Sequence, residues 1–423
     1  MNNTINAPQT RRRLLQLVAT APALVIAPRA LRAEQGEARG STTPAPVSAD
    51  DTTFEDVWQT VRDRFYDPHF HGLDWDAVRE RYHSNAAQAT SEEGRAAVIN
   101  SMLSELHASH THYYTPDEPE YYQLAGIFTR ALGRQGLQRV FPGGHISYPG
   151  IGILSRMSAT GGALVTGVID GTPAQQAGLI VGDQIIAADG APFRPVQSFR
   201  GKAGDQVTLE VQRAGAHLQV PVKPVDIEPN KMFLDGLKAS ARIFEANGRR
   251  IGYVHVWCYA GYGYQRAVEE LLSEGPLKDA DALIWDLRDG WGGAVPEYLD
   301  LFNTRAPIMQ VVNRGGAREF ENVKWRKPVA MLVNGGTRSG KEVLAYGFKK
   351  YRLGEVIGTR TEGAVLAATA FLIGRGLLLL AVEDVLVDGE RLEGVGVAPT
   401  IEVESSGTDD RQIDRAVAVL SAD

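Results

Sequence analysis

The sequence predicts a multidomain protein with an α/β core, and three observations lead to that fold class. A chain of 423 residues is long enough for several domains of about 100–200 residues each. Hydrophobic residues make up 43% of it and charged residues 22%, which is ordinary for a globular protein and excludes wholesale disorder. Strand-like and helix-like runs alternate between residues 228 and 405, which indicates βαβ units.

The charge balance excludes nucleic acid as the main partner. The chain carries 44 basic and 51 acidic residues, a formal net charge of -7. Residues 1–33 hold five Arg and no acid, so the rest has 44 − 5 = 39 basic residues against 51 acidic ones, a net of -12. Phosphate binding requires clustered Lys and Arg instead. The single cysteine, Cys258, excludes an internal disulfide, and its apolar neighbours predict a buried strand residue.

Residues 1–33 are predicted to be an export signal. Thr-Arg-Arg-Arg-Leu-Leu-Gln at 10–16 is a twin-arginine pattern, and the mostly apolar run at 14–27 is too short to span a bilayer. An uncleaved basic N-terminal anchor is the alternative. We expect export to the periplasm without a stable membrane anchor, since no later stretch is long enough to span a membrane. Residues 34–50 predict a flexible linker.

An N-terminal helical domain is expected over residues 51–135. Thr52 and Glu55 form a capping-box pattern at its start. Apolar side chains then recur at helical spacing in three stripes, which are typical of helix faces packed on a core. The stripes are Phe54, Val57, Trp58, Val61 and Phe65; Trp75, Val78 and Tyr82; and Val98, Ile99, Met102, Leu103 and Leu106.

Residues 145–227 change to short β-like runs that alternate with Gly turns. Gly-Ile-Gly-Ile at 150–153 is followed by an apolar run at 163–169 and by Thr-Pro-Ala at 172–174. This order resembles a PDZ domain of the bacterial, protease-associated kind, although a plain β-domain would also have such turns. The resemblance implies a carboxylate-binding loop that holds a C-terminal carboxylate while the peptide adds as a strand. The loop residues are Gly150, Ile151, Gly152 and Ile153.

Residues 228–405 are expected to form the α/β core, and residues 406–423 a C-terminal amphipathic helix. Helix-like runs lie between the strand-like ones. The strand-like runs are 251–257, 282–288, 329–334, 355–358 and 377–382, and the clearest helix-like runs are 264–272 and 340–350.

A serine at the start of a predicted helix is the first candidate for catalysis. Ser339 follows a strand-like run and directly precedes Gly340, where the helix begins. The first N–H groups of a helix have no internal partner, so the Gly340 N–H can serve as one half of an oxyanion hole. A purely structural interpretation is open, because Ser339 and Glu342 also match a capping box.

The same segment matches most of a phosphate-binding P-loop. Gly335, Gly340 and Lys341 have the required spacing after a strand, but Glu342 stands where the pattern needs Ser or Thr for magnesium. Asp286 is the only possible acidic partner, so nucleotide binding is a remote alternative.

Two further segments contribute candidates. The Gly-rich turn at Gly292 and Gly293 follows a buried strand and could supply the second oxyanion N–H. His107, His110 and His112 lie within six residues, yet no carboxylate is nearby in sequence to complete a metal site, and we expect no metal. His110 becomes a candidate base only if the fold brings it beside Ser339.

The ordered set of motifs resembles the serine peptidase family of C-terminal processing (tail-specific) and tricorn proteases, over nearly all of the chain beyond the export signal. The resemblance implies a crotonase/ClpP-like peptidase core without cofactor, with Ser339 as nucleophile. The Gly340 N–H and that of Gly292 or Gly293 would form the oxyanion hole. The motifs are Ser109-His110-Thr111, the PDZ-like domain, Asp286-Leu287-Arg288-x-x-x-Gly292-Gly293, Asn334-x-x-Thr337-x-Ser339-x-x-Glu342, Gly358-x-x-Thr361-x-Gly363 and Leu392-Glu393-Gly394-x-Gly396-Val397-x-Pro399.

One departure from the family pattern concerns the general base. Tail-specific members carry a Lys directly after the motif at 361–363, and this chain has Ala364 there. Lys341 could replace it. However, Ser339 and Lys341 are two apart, and residues at that spacing on a helix do not face each other. An exposed Lys also stays protonated, with a pKa of about 10.4. The tricorn arrangement instead implies His110 as base, with Ser109 orienting it and Glu393 steadying the set.

The expected function is an exported serine endopeptidase whose partner is a protein or peptide substrate with a free C-terminus. Loss of the family Lys leaves a different class open, a catalytically silent scaffold that only binds through its PDZ domain. The sequence predicts no particular oligomeric state.

Overall fold

The computed structural model describes residues 52–422 apart from 159–160, 306, 308, 321–323 and 405–408. The predicted export signal and linker lie outside the described residues. The predicted multidomain architecture is confirmed, with a helical region, a β-rich domain and an α/β core in chain order. In this part of the chain, no helix has both the length and the apolar character needed to cross a membrane.

The helical region packs its predicted stripes into one hydrophobic core. Thr52 does not form the predicted capping box. Its backbone (φ -87, ψ 4) is outside the extended conformation of an N-cap, and its hydroxyl donates to Asp56 at 2.6 Å instead. The elements are α1 (Thr53–Arg64), α2 (Trp75–Gln88), α3 (Glu92–Ser104), β1 (His112–Tyr114), α4 (Pro119–Ile127), α5 (Thr129–Gly133) and α6 (Leu137–Val140).

The β-rich domain has its own hydrophobic core. Its main sheet has the strand order β3-β4-β5-β7-β8, with β6 paired to β5, and β2 pairs separately with β9. Strand β3 hydrogen-bonds only to β4 among the described strands, so its other edge is open there. The elements are β2 (Tyr148–Gly150), β3 (Ile153–Met157), β4 (Ala163–Val168), α7 (Pro173–Gln176), β5 (Gln184–Ala188), β6 (Ala191–Pro192), β7 (Val207–Arg213), β8 (Ala216–Val222) and β9 (Val225–Ile227).

The α/β core contains a six-stranded sheet in the order β10-β11-β12-β15-β16-β21, parallel from β11 to β21. The elements are α8 (Pro229–Ser240), β10 (Arg242–Ala246), β11 (Arg249–His255), α9 (Tyr262–Ser273), β12 (Ala282–Asp286), β13 (Gln310–Val312), β14 (Arg318–Phe320), β15 (Val329–Val333), α10 (Gly340–Lys350), β16 (Glu355–Gly358), β17 (Ala367–Ile373), β18 (Gly376–Glu383), β19 (Leu386–Val387), β20 (Glu390–Arg391), β21 (Ile401–Glu402) and α11 (Arg411–Ala422).

Both faces of this sheet are buried, which explains why its strands read as unbroken apolar runs. Ile284 of β12 faces a cluster that includes Ile413 of α11, while Trp285 faces the larger cluster that includes Leu344 of α10. Since β11, β12 and β15 are parallel, the loops that follow them meet at one edge of the sheet. That edge carries the Gly-rich turn and the segment leading to Ser339.

A second, three-stranded sheet joins the helical region to the core. Its order is β1-β18-β17, and β1 pairs antiparallel with β18 so that His112 lies opposite Leu379. Leu378 and Leu380 of β18 belong to the same hydrophobic cluster as α1 and α3. This sheet fixes the segment that precedes β1, including Ser109 and His110, against the core.

Candidate active site

Ser339 lies between β15 and α10 in a strained backbone conformation. Its φ of 58° and ψ of -132° are disfavoured for a residue with a Cβ. The conformation is held from both sides: the Ser339 N–H donates to the Ala364 carbonyl at 2.8 Å, and the turn before it is tied down by the buried Thr337 hydroxyl, which donates to the Leu287 carbonyl at 3.1 Å. Strain at such a position costs about 1–3 kcal/mol and is concentrated at functional sites.

The predicted capping box is present, but it occupies only part of the Glu342 carboxylate. Glu342 accepts the Ser339 N–H at 3.3 Å, and the Ser339 side chain faces the Glu342 N–H. The same buried carboxylate accepts the N–H groups of Gly363 and Ala364, both at 2.8 Å, and the hydroxyl of Thr361 at 2.5 Å. Glu342 therefore connects the start of α10 to the segment 361–364.

The three glycines predicted for the oxyanion hole lie beside Ser339. A Cβ placed on Gly292 would be 2.5 Å from the Ser339 Cβ and 3.0 Å from the Gly340 nitrogen, so only glycine permits this approach. Gly293 has a φ of +88° and packs on Ala260. Across the described residues, the N–H groups of Gly292, Gly293 and Gly340 donate to no protein acceptor.

Ser109, His110 and Glu393 form a continuous hydrogen-bonded chain, although 284 residues separate Ser109 from Glu393. The Ser109 hydroxyl donates to the Glu393 carboxylate at 2.9 Å, and the Ser109 N–H donates to its other oxygen at 3.0 Å. The Ser109 Oγ also lies 2.9 Å from His110 Nδ1. Because the hydroxyl proton points to Glu393, Oγ must accept from Nδ1, which places the imidazole proton on Nδ1 and leaves a lone pair on Nε2.

The imidazole of His110 is held in its neutral form. Burial lowers the pKa of His110 to about 3, and the nearby Arg338 guanidinium contributes in the same direction. A neutral imidazole with a free Nε2 lone pair can accept a proton at neutral pH. His110 itself has a φ of 54°, a left-handed conformation that His adopts more readily than most residues.

One peptide unit joins the two halves of the site. The Ala364 carbonyl accepts the Ser339 N–H at 2.8 Å, and the Val365 N–H donates to Glu393 at 2.7 Å. Both groups are therefore fixed by the Ala364–Val365 peptide. Among the described residues, no hydrogen bond connects His110 directly to Ser339.

The prediction that the Lys341 side chain is exposed was wrong. It is fully buried, and its ammonium donates to the carbonyls of Asp289 at 2.7 Å and Trp257 at 3.4 Å. Burial lowers the pKa of Lys341 to about 8. Ala364, at the family Lys position, is also buried, and its backbone rather than its side chain contributes to the site.

The loop at Gly150, Ile151, Gly152 and Ile153 is buried throughout. The carbonyls of Ile151 and Gly152 accept the N–H groups of Ala174 and Ile169, and a Cβ on Gly152 would lie 2.4 Å from Thr172. Within the described chain, the N–H groups of Ile151 and Gly152 donate to no protein acceptor.

A cleft of about 1150 Å³ extends between the three regions of the molecule. Arg156 of β3 lines one wall, Glu120 of α4 another, and Trp291 and Arg338 the part beside Ser339. The Arg338 guanidinium lies over the Trp291 ring at 5.3 Å and pairs with Glu362 at 2.8 Å. The sequence assigned these cleft residues no role, since none of them belongs to a spaced motif.

The three clustered histidines do not converge on one point. His112 Nε2 lies 3.2 Å from the Asn100 amide, His110 is engaged with Ser109, and His107 is exposed. Over the described ranges of the chain, no group of three or more His, Cys, Asp or Glu residues is arranged to hold a metal ion.

Three family models match the chain. Peptidase family S41 matches residues 250–403, the tricorn protease C1 domain matches 51–104, and the PDZ domain matches 149–223. These matches correspond to the α/β core, the first three helices and the β-rich domain.

The relatives described below are 25–27% identical to this chain over the aligned residues. A carboxy-terminal-processing protease of Bartonella bacilliformis is 27% identical over 260 residues, 57% of this chain and 58% of the relative. One from Synechocystis sp. is 25% identical over 366 residues, 82% of this chain and 79% of the relative. A tricorn protease homologue of Streptomyces coelicolor is 27% identical over 82% of this chain, which spans only 30% of that relative.

The fold is also similar to that of a C-terminal processing protease. A solved photosystem II D1 C-terminal processing protease superposes with a TM-score of 0.50 at 21% identity, covering 89% of this chain and 98% of that one. With the matched family models and the relatives above, this likeness in fold leads to one conclusion: residues 250–403 form a domain of the peptidase family S41 type, residues 149–223 form a PDZ domain, and the chain is similar to C-terminal-processing and tricorn proteases.

Proposed function

We propose that this protein is a serine endopeptidase that uses Ser339 as nucleophile and His110 as general base. One observation carries the proposal: the hydrogen-bonded series from Glu393 through Ser109 to His110 ends in an Nε2 that has no protein partner among the described residues. The Ala364–Val365 peptide that anchors this series also anchors Ser339. The match of residues 250–403 to peptidase family S41 supports the class of reaction.

The first half of the reaction forms an acyl-enzyme. The Ser339 Oγ attacks the carbonyl carbon of the scissile bond while His110 Nε2 takes the hydroxyl proton. Ser109 and the Glu393 carboxylate stabilise the imidazolium that results. The N–H of Gly340, with that of Gly292 or Gly293, donates to the oxyanion of the tetrahedral intermediate.

The second half restores the enzyme. His110 donates its proton to the leaving amine as the C–N bond breaks, and then removes a proton from the water that attacks the ester. It returns this proton to the Ser339 oxygen as the ester C–O bond breaks and the acid product leaves. Catalytic hydrogen bonds commonly tighten only when substrate is bound. We therefore expect a substrate in the cleft to bring His110 Nε2 into hydrogen-bond reach of Ser339, directly or through one water.

A fluorophosphonate probe tests the nucleophile. The wild-type protein should be labelled, and Ser339→Gly should not, while retaining the fold because glycine tolerates the strained φ of 58° at this position. Ser339→Ala provides a second variant. Equal labelling of the wild type and both variants would show that another group is the nucleophile.

The PDZ domain is proposed to capture the C-terminal tail of the substrate at β3. The open edge of β3 and the N–H groups of Ile151 and Gly152 support this, since a peptide can add there as a strand with its carboxylate on the loop. A peptide with a free carboxylate should bind at least about tenfold more tightly than the same peptide with a C-terminal amide. Equal affinity would contradict tail capture.

Export to the periplasm is proposed from the twin-arginine pattern at residues 10–16. Replacing Arg11 and Arg12 together by Lys should leave the protein in the cytoplasm of a bacterial host that exports the wild type. Unchanged fractionation would contradict this route.

A further inference from the structure

We infer that the cleft selects substrates with a Lys or Arg side chain near the scissile bond, and that the Glu120 carboxylate binds that side chain. The inference rests on the proposed function, because it assumes that the substrate lies in the cleft beside Ser339.

Glu120 lies in the first turn of α4, on the same cleft as the residues beside Ser339. It lines the same cleft as Trp291 and Arg338, and Arg338 directly precedes Ser339. The Arg338 charge is close enough to act on both Glu120 and His110. A substrate side chain that reaches Glu120 therefore belongs to a residue near the bond that Ser339 would attack.

The other carboxylates of the cleft wall already have partners. Glu93 pairs with Arg194 at 2.9 Å, Asp117 with Arg200 at 2.5 Å, and Glu362 with Arg338 at 2.8 Å. Glu118 accepts the N–H and the hydroxyl of Thr115 at 2.7 and 2.9 Å, and Asp289 accepts the Asn334 side-chain amide at 3.0 Å. By contrast, no Lys, Arg or His of the described chain lies within ion-pair distance of Glu120.

The environment of Glu120 disfavours an isolated negative charge. Its surface is only part-buried, but it lies deep in the cleft, where burial, with a further contribution from Glu118, raises the pKa of Glu120 to about 7. A substrate ammonium or guanidinium would supply the missing positive charge in a desolvated setting, where a charge pair counts for more than at an exposed surface.

The rest of the cleft suits the stem of a long basic side chain. Tyr114 and Leu154 line it together with Glu120. Apolar and aromatic surface of this kind packs against the methylene groups of Lys or Arg while the charged end reaches the carboxylate. A peptide α-ammonium has the same charge, but a substrate held by its C-terminus presents internal residues to the cleft.

The test uses N-acetylated peptides with free C-termini, which carry no α-ammonium. Lys or norleucine, which differ in charge at similar length, is placed at each position flanking the cleaved bond in turn. For the wild-type protein we expect kcat/KM at one position to be about tenfold to a hundredfold higher with Lys than with norleucine.

Three variants then isolate the carboxylate. Glu120→Gln should lose the preference for Lys, because kcat/KM for the Lys peptide should fall to about that for the norleucine peptide in the same variant. Asp117→Asn is the matched control, because Asp117 is in the same wall but already paired, and it should keep the preference. Glu120→Lys should favour Glu over Lys at that position, a gain that misfolding cannot produce.

Each outcome decides a separate question. If the norleucine and Lys peptides are cleaved equally at every position, or if Glu120→Gln keeps the preference, the inference is wrong and the proposed function stands. If only non-acetylated peptides show the effect, the cation is an α-ammonium rather than a side chain, which also contradicts the inference. If no peptide is cleaved by the wild type, the proposed function itself fails.

Discussion

His110 is part-buried and Lys341 is fully buried, and the two side chains differ in what their nitrogens contact. The imidazole of His110 has one nitrogen engaged with Ser109 and the other without a protein partner among the described residues. The Lys341 ammonium points to the carbonyls of Asp289 and Trp257. Burial lowers the pKa of both groups, to about 3 and about 8.

The comparison shows that a lowered pKa does not by itself identify a general base. Lys341 holds the carbonyl of Asp289 at the start of the Gly-rich turn, so it positions the turn that carries Gly292 and Gly293. His110 has a lone pair directed away from its hydrogen-bonded partner, and this availability is what proton transfer requires.

The largest expected effect comes from removing the imidazole. His110→Asn should lower kcat/KM by about 10²–10⁴-fold, because the proton of the Ser339 hydroxyl would lose its acceptor. Asn is chosen because it tolerates the positive φ of this position. Steady-state hydrolysis of a peptide substrate measures the effect.

His107→Asn is the matched control for this substitution. His107 also has a positive φ, of 46°, but its side chain is exposed. We expect activity close to that of the wild type. Equal losses in the two variants would mean that the segment has been disturbed rather than the base removed.

The pH dependence of kcat/KM separates the two candidates more sharply. A general base acts in its deprotonated form, so the rate falls as pH drops through its pKa in the free enzyme. With His110 as base, kcat/KM should stay level down to a pH of about 4 and fall below it, since the pKa of His110 is about 3. With Lys341 as base, the fall would begin near pH 8.

The measurement should use a substrate without ionisable side chains and short exposures to acid, followed by assay at neutral pH to detect unfolding. A fall in kcat/KM that begins near pH 8 and survives His110→Asn would transfer the role of base to Lys341.

A smaller effect is expected on stability rather than on rate. Lys341 has a pKa of about 8 in the folded protein against 10.5 for an ordinary lysine. The unfolded chain therefore binds more protons than the folded protein between these values, and the free energy of unfolding should rise with pH there, by up to about 3 kcal/mol.

Lys341→Met should remove this rise while leaving the acidic limb of the kcat/KM profile unchanged. Denaturant unfolding of the two proteins between pH 7 and 10.5 measures the difference. A parallel pH dependence in both would show that Lys341 does not titrate as its burial implies.

Much of the core was predictable because its signals are local. The apolar run at 329–334 and the helix from Gly340 differ from β15 and α10 by no more than one residue. Strand β16 has the predicted bounds. Such strands are buried on both faces and read as continuous apolar runs, which separates them from the amphipathic helices.

The rest depends on contacts between distant residues. The pairing of β1 with β18 brings His112 opposite Leu379, and no local pattern specifies it. The same holds for the burial of Lys341. Its ammonium lies against the carbonyls of Trp257 and Asp289, which come from segments distant in sequence. The motif resemblance named Ser109, His110 and Glu393 together, but it could not give the bonds among them or the part played by the Val365 N–H.

The Ala364–Val365 peptide has a mechanical consequence. The Ala364 carbonyl accepts the Ser339 N–H, and the Val365 N–H donates to the Glu393 carboxylate. The same carboxylate accepts the Ser109 N–H and so anchors the Ser109–His110 segment. A displacement of this buried segment would move Ser339 and the Ser109–His110 pair in the same direction. The distance between Ser339 and His110 should therefore change little when the surrounding domains make small movements.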